Sequence, residues 1–367
     1  MSTHPNRLAK TRARFELAPI TLTRLAIYRL WICAIVLVDV LIRARDYLQP
    51  AGAESPFYIL RLLPIHPCLL NLIYVVLIIF VLLAFIGFKT NFAVLFAGII
   101  YLIYKITPGL TFVGADHLLL PLMFSMIVLA FSPSGARLSV DDLLKRLREN
   151  HAAQQFIPKT ENRDQSPNAT WPLRSMQAAM ILLYFLAALF GLAWNSRGFL
   201  EWFGLACPLF LDFQKIARWI RRHITAPNGL TKFAILFDGQ CPLCIRSVTI
   251  VDFFDWRGKF SYRDVNDWTP ISRDYPNLDQ RKSLEEMQLM IPRNGRDETL
   301  AGFYAFRKIA QHLPPGMLIW PFLYLPGVPL VGTRWYRFVA SRRKRMTGGE
   351  RCGFHACEIA APAKINL

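Results

Sequence analysis

Long apolar runs broken by short polar turns fill the first half of the chain, and shorter runs with strand-like or helical spacing fill the rest. The first run, Leu22–Ile42, carries Arg24, Arg29 and Asp39 inside it. Arg29 and Asp39 stand about 15 Å apart along a helix, too far to pair with each other. Charges at such depth face a bundle interior or a cavity. The second run, Leu69–Phe88, is purely apolar and matches the roughly 20 residues that cross a bilayer. A tight turn, Gly87-Phe88-Lys89-Thr90-Asn91, leads into a third run, Phe92–Ile106. A fourth, His117–Phe131, stops at Ser132-Pro133-Ser134-Gly135, and a fifth covers Met176–Trp194. Together they predict an N-terminal α-helical membrane bundle of about five spans over residues 22–215. The weaker stretch Phe199–Phe213 holds Glu201, Pro208 and Asp212 and reads as an interfacial or re-entrant helix rather than a sixth span.

Between the fourth and fifth runs lies a polar loop, residues 137–172. It opens with an amphipathic helix, Val140–Arg148, with Ser139 as N-cap, and continues as a linker rich in Asn, Gln, Asp and Pro. From Thr231 the pattern becomes that of a soluble α/β domain, residues 231–345. Lys232–Phe237 is a short strand. Pro242–Trp256 has helical spacing, with Ile245, Val248, Val251 and Phe254 on one side, and Lys259–Arg263 is a second strand. Met287–Ile291 and Glu298–Ala301 flank Pro292–Arg296 as a hairpin. Phe303–His312 is a helix ended by Pro314-Pro315-Gly316. A Trp- and Pro-rich apolar segment, Met317–Val331, precedes a last helix with a basic end, Arg342-Arg343-Lys344-Arg345. Residues 1–21 read as a disordered basic tail and 346–367 as a C-terminal tail.

Composition agrees with a membrane part. Apolar residues make up 53% and charged residues 19%, against about 45–50% and ~25% in a soluble domain. The net charge is +18. Its Lys and Arg lie between apolar blocks rather than along one face, which points to membrane lipid as partner and away from nucleic acid. With the N-terminus inside, the inner segments hold eleven basic residues, Arg7 to Arg163. The outer loops hold four, Arg43, Arg45, Arg61 and Lys105. That bias favours an integral protein of the cell (inner) membrane with a cytoplasmic N-terminus. Five spans would put the C-terminal domain outside the cytoplasm and a sixth would put it inside, where the cluster Lys215, Arg218, Arg221, Arg222 pulls it. The side of this domain stays open. No cleavable signal peptide is evident.

Candidate chemistry sits at Cys241-Pro242-Leu243-Cys244, between a strand ending at Asp238 and a helix. The spacing puts both sulfurs in the first helical turn. Unpaired N–H groups and the helix dipole there favour a thiolate, the species that attacks. Cys241 is thus the expected nucleophile and Cys244, more shielded, the resolving thiol. Asp238 is placed to take or relay the Cys244 proton, or to cap the turn. Pro242 suits the first helical position. No cofactor or metal is expected beyond the dithiol, a membrane-borne electron carrier is compatible with it, and the substrate is a protein or small thiol or disulfide. The competing reading is a membrane maturation or binding module whose CxxC is structural or zinc-bound, with Cys352, His355 and Cys357 supplying other ligands. Seven cysteines in this scatter make no disulfide framework. Cys33, Cys68 and Cys207 read as packing residues. His66, Asp116 and His117 read either as interfacial anchors or as part of a substrate or quinone site.

The run ILFDGQCPLC, with Asp238, Cys241 and Cys244, resembles the signature of the DCC family of thiol–disulfide oxidoreductases, named for that trio. Asn294-Gly295, Gly302-Phe303-Tyr304-Ala305-Phe306, Leu325-Pro326-Gly327-Val328 and Tyr336–Ala340 extend the resemblance over about residues 232–345. It implies a thioredoxin-like fold. One departure is the lack of a proline just before Met287–Ile291, where thioredoxins carry a cis-proline. The membrane part resembles the HTTM family, related to vitamin K-dependent γ-carboxylase, through Arg24, Arg29, Gly114–His117, Ser132-Pro133, Gln177 and Tyr184. Where relatives tend to carry a lysine after that tyrosine, this chain has Leu189-Phe190-Gly191, which argues against a carboxylase activity.

Overall fold

The computed structural model describes residues 21–42, 67–106, 119–158, 170–189, 204–211, 232–256, 258–292, 297–344 and 351–352. They divide into two compact units. The first is drawn from Met1–Asp142 and Glu161–Thr225, and the second from Leu143–Thr160 and Ala226–Leu367.

The first unit is helical: α1 (Leu22–Ile42), α2 (Pro67–Ile86), α3 (Thr90–Ile106) and α4 (Leu119–Ala130) are followed by α5 (Val140–Ala153), which leads out of it, and by α6 (Thr170–Leu189). Among the described residues α1, 21 residues with mean hydropathy 2.3, is the single helix long and apolar enough to cross a membrane, and a helix pair bent by 113°, Gly316–Leu323 with Val328–Ser341, passes the same test when taken together. The apolar stretches Asn71–Ile86, Thr90–Lys105 and Pro121–Ala130 in α2, α3 and α4 are shorter. Five spans are therefore not supported: α3 and α4, with 17 and 12 residues, fall short of the roughly 20 that cross a bilayer.

The polar residues inside α1 are each matched. Arg29 is fully buried, and its guanidinium donates to the Ser134 and Leu138 carbonyls at 2.9 and 2.7 Å. Asp39 pairs with Lys105 at 2.8 Å and accepts the Tyr101 hydroxyl at 2.8 Å. Lys105 is thus a buried helix residue rather than an outer-loop charge. Arg24 donates to the Leu209 carbonyl, which also accepts from Gln177 at 2.7 Å. Leu209 lies in a helical stretch, 204–210, whose Leu205 and Leu209 are fully buried in the unit's apolar core. The rest of the weak stretch 199–213 lies outside the described residues.

The turn after α2 is built by Gly87, at φ +73°, where a side chain would collide with Ser139. Asp141 then caps α3, accepting from the Lys89 and Thr90 amides at 2.9 and 2.8 Å. Ser139 caps α5 by accepting from the Asp142 amide at 2.9 Å, as its sequence implies.

The second unit is a four-stranded mixed sheet with helices. Its strands are β1 (Phe233–Phe237), β2 (Phe260–Asp264), β3 (Gln288–Ile291) and β4 (Glu298–Ala301), in the order β2-β1-β3-β4. β1 pairs with β2 in parallel and with β3 antiparallel, and β3 pairs antiparallel with β4. Helix α7 (Pro242–Phe254) connects β1 to β2. Helices α8 (Trp268–Asp274) and α9 (Gln280–Glu285) lead to the β3–β4 hairpin, and α10 (Gly302–His312), α11 (Gly316–Leu323) and α12 (Val328–Ser341) follow. A small antiparallel pair, β5 (Arg343–Lys344) and β6 (Arg351–Cys352), comes last.

The polar loop contributes to this unit. Its place in the sequence groups it with the first unit, yet α5 from Leu143 onward folds with the second. Asn150 donates to the Thr249 hydroxyl of α7 at 2.8 Å, both residues being buried. Arg146 pairs with Asp252 at 3.7 Å, and Phe156 stacks edge-on against Phe237 and beside Tyr262. The sequence pattern around α5 shows where a helix starts, not what its far end packs on.

Candidate redox site

The site is built where β1 ends. The Cys241 amide donates to the Asp238 carbonyl at 3.2 Å and the Ile245 amide to the Cys241 carbonyl at 3.0 Å. Asp238-Gly239-Gln240-Cys241 is therefore a single turn that delivers Cys241 to the N-cap of α7, with Pro242 in the first turn. The Asp238 carboxylate accepts the Gln240 amide at 3.0 Å, the short-range closure that lets Asp nucleate turns. Both cysteines are free thiols, one helical turn apart.

Their burial differs from expectation. The sequence predicts Cys244 as the more shielded thiol, but Cys241 is 1% exposed and Cys244 9%. Both belong to the unit's apolar core with Ile235, Phe237, Val248 and Leu289. The cause is register: β1 is buried along most of its length, so a turn that starts at its last residue begins inside the core.

Asp238 is 2% exposed and is tied to residues that sequence reasoning missed. The Asn266 amide group donates to the Asp238 carboxylate at 3.0 Å and to that of Asp264 at 2.8 Å. Asp264 also accepts the Gly239 amide at 2.9 Å. A side chain at Gly239 would meet the Asp264 carboxylate at 2.0 Å, so that position holds glycine for close approach. The parallel register, which sets Phe237 opposite Asp264, brings them together. Parallel strands end on the same edge, so the residues just past β1 and β2 meet there.

A shallow depression beside the helix start is lined by Asn150, His151 and Gln154 of the α5 segment and by Pro242, Ile245 and Arg246. Cys33 is buried, Cys207 half-buried and Cys68 exposed. No group of three or more His, Cys, Asp or Glu side chains suited to a metal occurs among the described residues. His355 and Cys357 lie outside them, as do His66, Asp116 and His117. Among the described residues no peptide bond is cis.

A strand, a turn carrying a dithiol and a helix that starts on the first cysteine make an arrangement that thiol-redox chemistry can use. Residues 235–349 match the family model of the DCC1-like thiol-disulfide oxidoreductases, which supports a redox function for this domain. No curated protein and no solved structure matches the chain.

Proposed function

We propose that the chain is a membrane-anchored thiol–disulfide oxidoreductase in which Cys241 is the nucleophile and Cys244 the resolving thiol. The observation that carries this reading is the pair of free thiols one turn apart at the start of α7, inside the segment that matches the oxidoreductase family. In the reducing direction the Cys241 thiolate attacks one sulfur of a substrate disulfide. An S–S bond forms to Cys241 and the other substrate sulfur leaves as thiolate. The Cys244 thiolate then attacks the Cys241 sulfur and releases the second substrate thiol. Two electrons pass to the substrate and the protein is left with a Cys241–Cys244 disulfide, which an external dithiol such as a reduced redox protein returns to the thiol form. The orphan N–H groups at the helix start stabilise the thiolate.

The Asx turn at Asp238 supports its role as the cap that sets the Cys241 turn. Proton transfer from Cys244 is the second role its position favours. The strand order β2-β1-β3-β4, with a parallel β1–α7–β2 unit and an antiparallel hairpin, supports a thioredoxin-like fold. The α1 helix supplies the anchor. The convergence of Arg24 and Gln177 on Leu209, and of Arg29 on the turn after α4, supports kinship of the first unit with HTTM domains.

Reduction of insulin by the full-length protein with dithiothreitol as electron source tests the reading. Cys241→Ser abolishes turnover, and Cys244→Ser accumulates a mixed disulfide through Cys241. Wild-type turnover in Cys241→Ser would show that the chemistry lies elsewhere.

A further inference from the structure

The redox unit carries an apolar surface that its core does not use. Helix α12 has two unlike sides. Gly332, Tyr336 and Ala340 recur every fourth residue and face the domain. A side chain at Gly332 would collide with the Phe303 ring, the Tyr336 hydroxyl accepts the Met287 amide at 3.1 Å, and Ala340 is buried. The other side exposes Leu330 (75%), Val331 (70%) and Trp335 (67%). Helix α11 adds Leu318 (78%) and Phe322 (63%). Large apolar side chains this open and this close together mark an interaction surface.

Charge says which kind. Residues 299–349 hold eight Lys or Arg and no Asp or Glu, whereas residues 232–298 hold ten and eleven. The domain's whole excess of positive charge therefore lies on the segment that carries the apolar patch. Arg334 and Arg337 on α12 and Arg342 just after it are exposed; Arg334 and Arg337 fall within about 40° of Leu330 around the helix, and Arg342 lies over the Phe338 ring at 4.0 Å. Exposed aliphatic and aromatic side chains interleaved with arginine fit a bilayer interface, where the apolar side chains enter the acyl boundary and the guanidinium groups meet phosphate. Nucleic acid would call for polar residues between the cations. Each helix alone is short of a span: α11 and α12 have 8 and 14 residues, about 12 and 21 Å long, and although the pair is apolar enough to cross as one broken span, it bends by 113° at the junction. The bend lets both lie along one surface.

We infer that the α11–α12 hairpin docks the redox unit onto an anionic lipid surface, in the plane of the membrane. This goes beyond the redox reading and stands without it. A photo-crosslinking amino acid placed at Leu330, and separately at Leu318, in the full-length chain in phosphatidylglycerol nanodiscs tests it. Lipid adducts form at both positions and not at Lys282, an exposed residue of α9. The yield falls at least about tenfold in phosphatidylcholine nanodiscs or with Arg334→Gln, Arg337→Gln and Arg342→Gln combined. Insulin reduction, measured on the same samples, reports the redox reading separately. Adducts no more frequent than at Lys282, a yield indifferent to lipid charge, or adducts to a second copy, to another part of the chain or to added RNA would each overturn the inference.

Discussion

Tyr262 on β2 packs against Phe156, and its hydroxyl is buried with no hydrogen-bond partner among the described residues. An unmet buried hydroxyl costs free energy, about 1–3 kcal/mol in mutational series. Tyr262→Phe keeps the ring and deletes that cost, so thermal unfolding of the redox unit shifts upward or stays level. A fall would mean that the hydroxyl is satisfied. The same residue sets an alkaline dependence. Burial, then Asp252 and Asp255, raise its phenol well above the ordinary value. Below pH ~10 both folded and unfolded forms keep the proton and nothing changes. Above it the unfolded phenol ionises first, so stability falls with rising pH, and less steeply in Tyr262→Phe. A pH series of melting temperatures for the two proteins checks the sign. At this scale the sequence shows the cysteines and Asp238, because a CxxC after a strand is a local pattern. It does not show Asn266 or Asp264, whose link to Asp238 exists only once β1 and β2 lie in register, nor the burial of Cys241.

Pairs of helices carry the next level of evidence. In α1 and α3, Asp39 and Lys105 form an ion pair with side chains only 10% and 4% exposed. Removing one partner leaves a buried charge and costs about 3–5 kcal/mol, whereas replacing both with apolar residues is close to neutral. Asp39→Leu and Lys105→Met are each destabilising, and the double variant recovers most of the loss. A double-mutant cycle on the solubilised protein reads this coupling. The ten-residue gap between Arg29 and Asp39 already excluded their pairing; Lys105, more than sixty residues on, had no local mark as the partner. Helix α5 shows the same divide. Its N-cap and amphipathic start are written in Ser139 and the spacing after it. Its docking on α7 runs through the buried Asn150–Thr249 bond, and a lone Asn in a polar stretch looks like any solvated residue. Asn150→Ala costs the redox unit about 1 kcal/mol. Lys145→Ala, which breaks only the exposed 3.9 Å pair with Glu149, changes the melting temperature little.

For the whole molecule, α5 decides more than packing. The loop that follows α4 and the domain that follows α6 form one folded unit, and a unit of that kind cannot be divided by a bilayer. We propose that residues 143–158 and the redox domain therefore share one side of the membrane. The chain between residues 158 and 232 then crosses an even number of times or not at all, so α6 is not a lone span. Loop charge favours one side. Arg137, Lys145, Arg146, Arg148, Lys159 and Arg163 fall in or beside the loop, the bias of a cytoplasmic segment. The burial of Lys105 strengthens that bias, since it removes one of the four charges counted against it. In the cytosol a disulfide between Cys241 and Cys244 is transient and the site is kept reduced, which favours reduction over lasting oxidation of its substrate. A fluorescent protein that matures only in the cytosol, fused after Leu367, reports this directly, paired with alkaline phosphatase, which is active only outside. Fluorescence without phosphatase activity is the expected result, and the same outcome follows when either reporter is inserted after Ile157. Phosphatase activity at Leu367 would put the redox site outside, and opposite outcomes at Ile157 and Leu367 would break the shared side that the α5–α7 link requires.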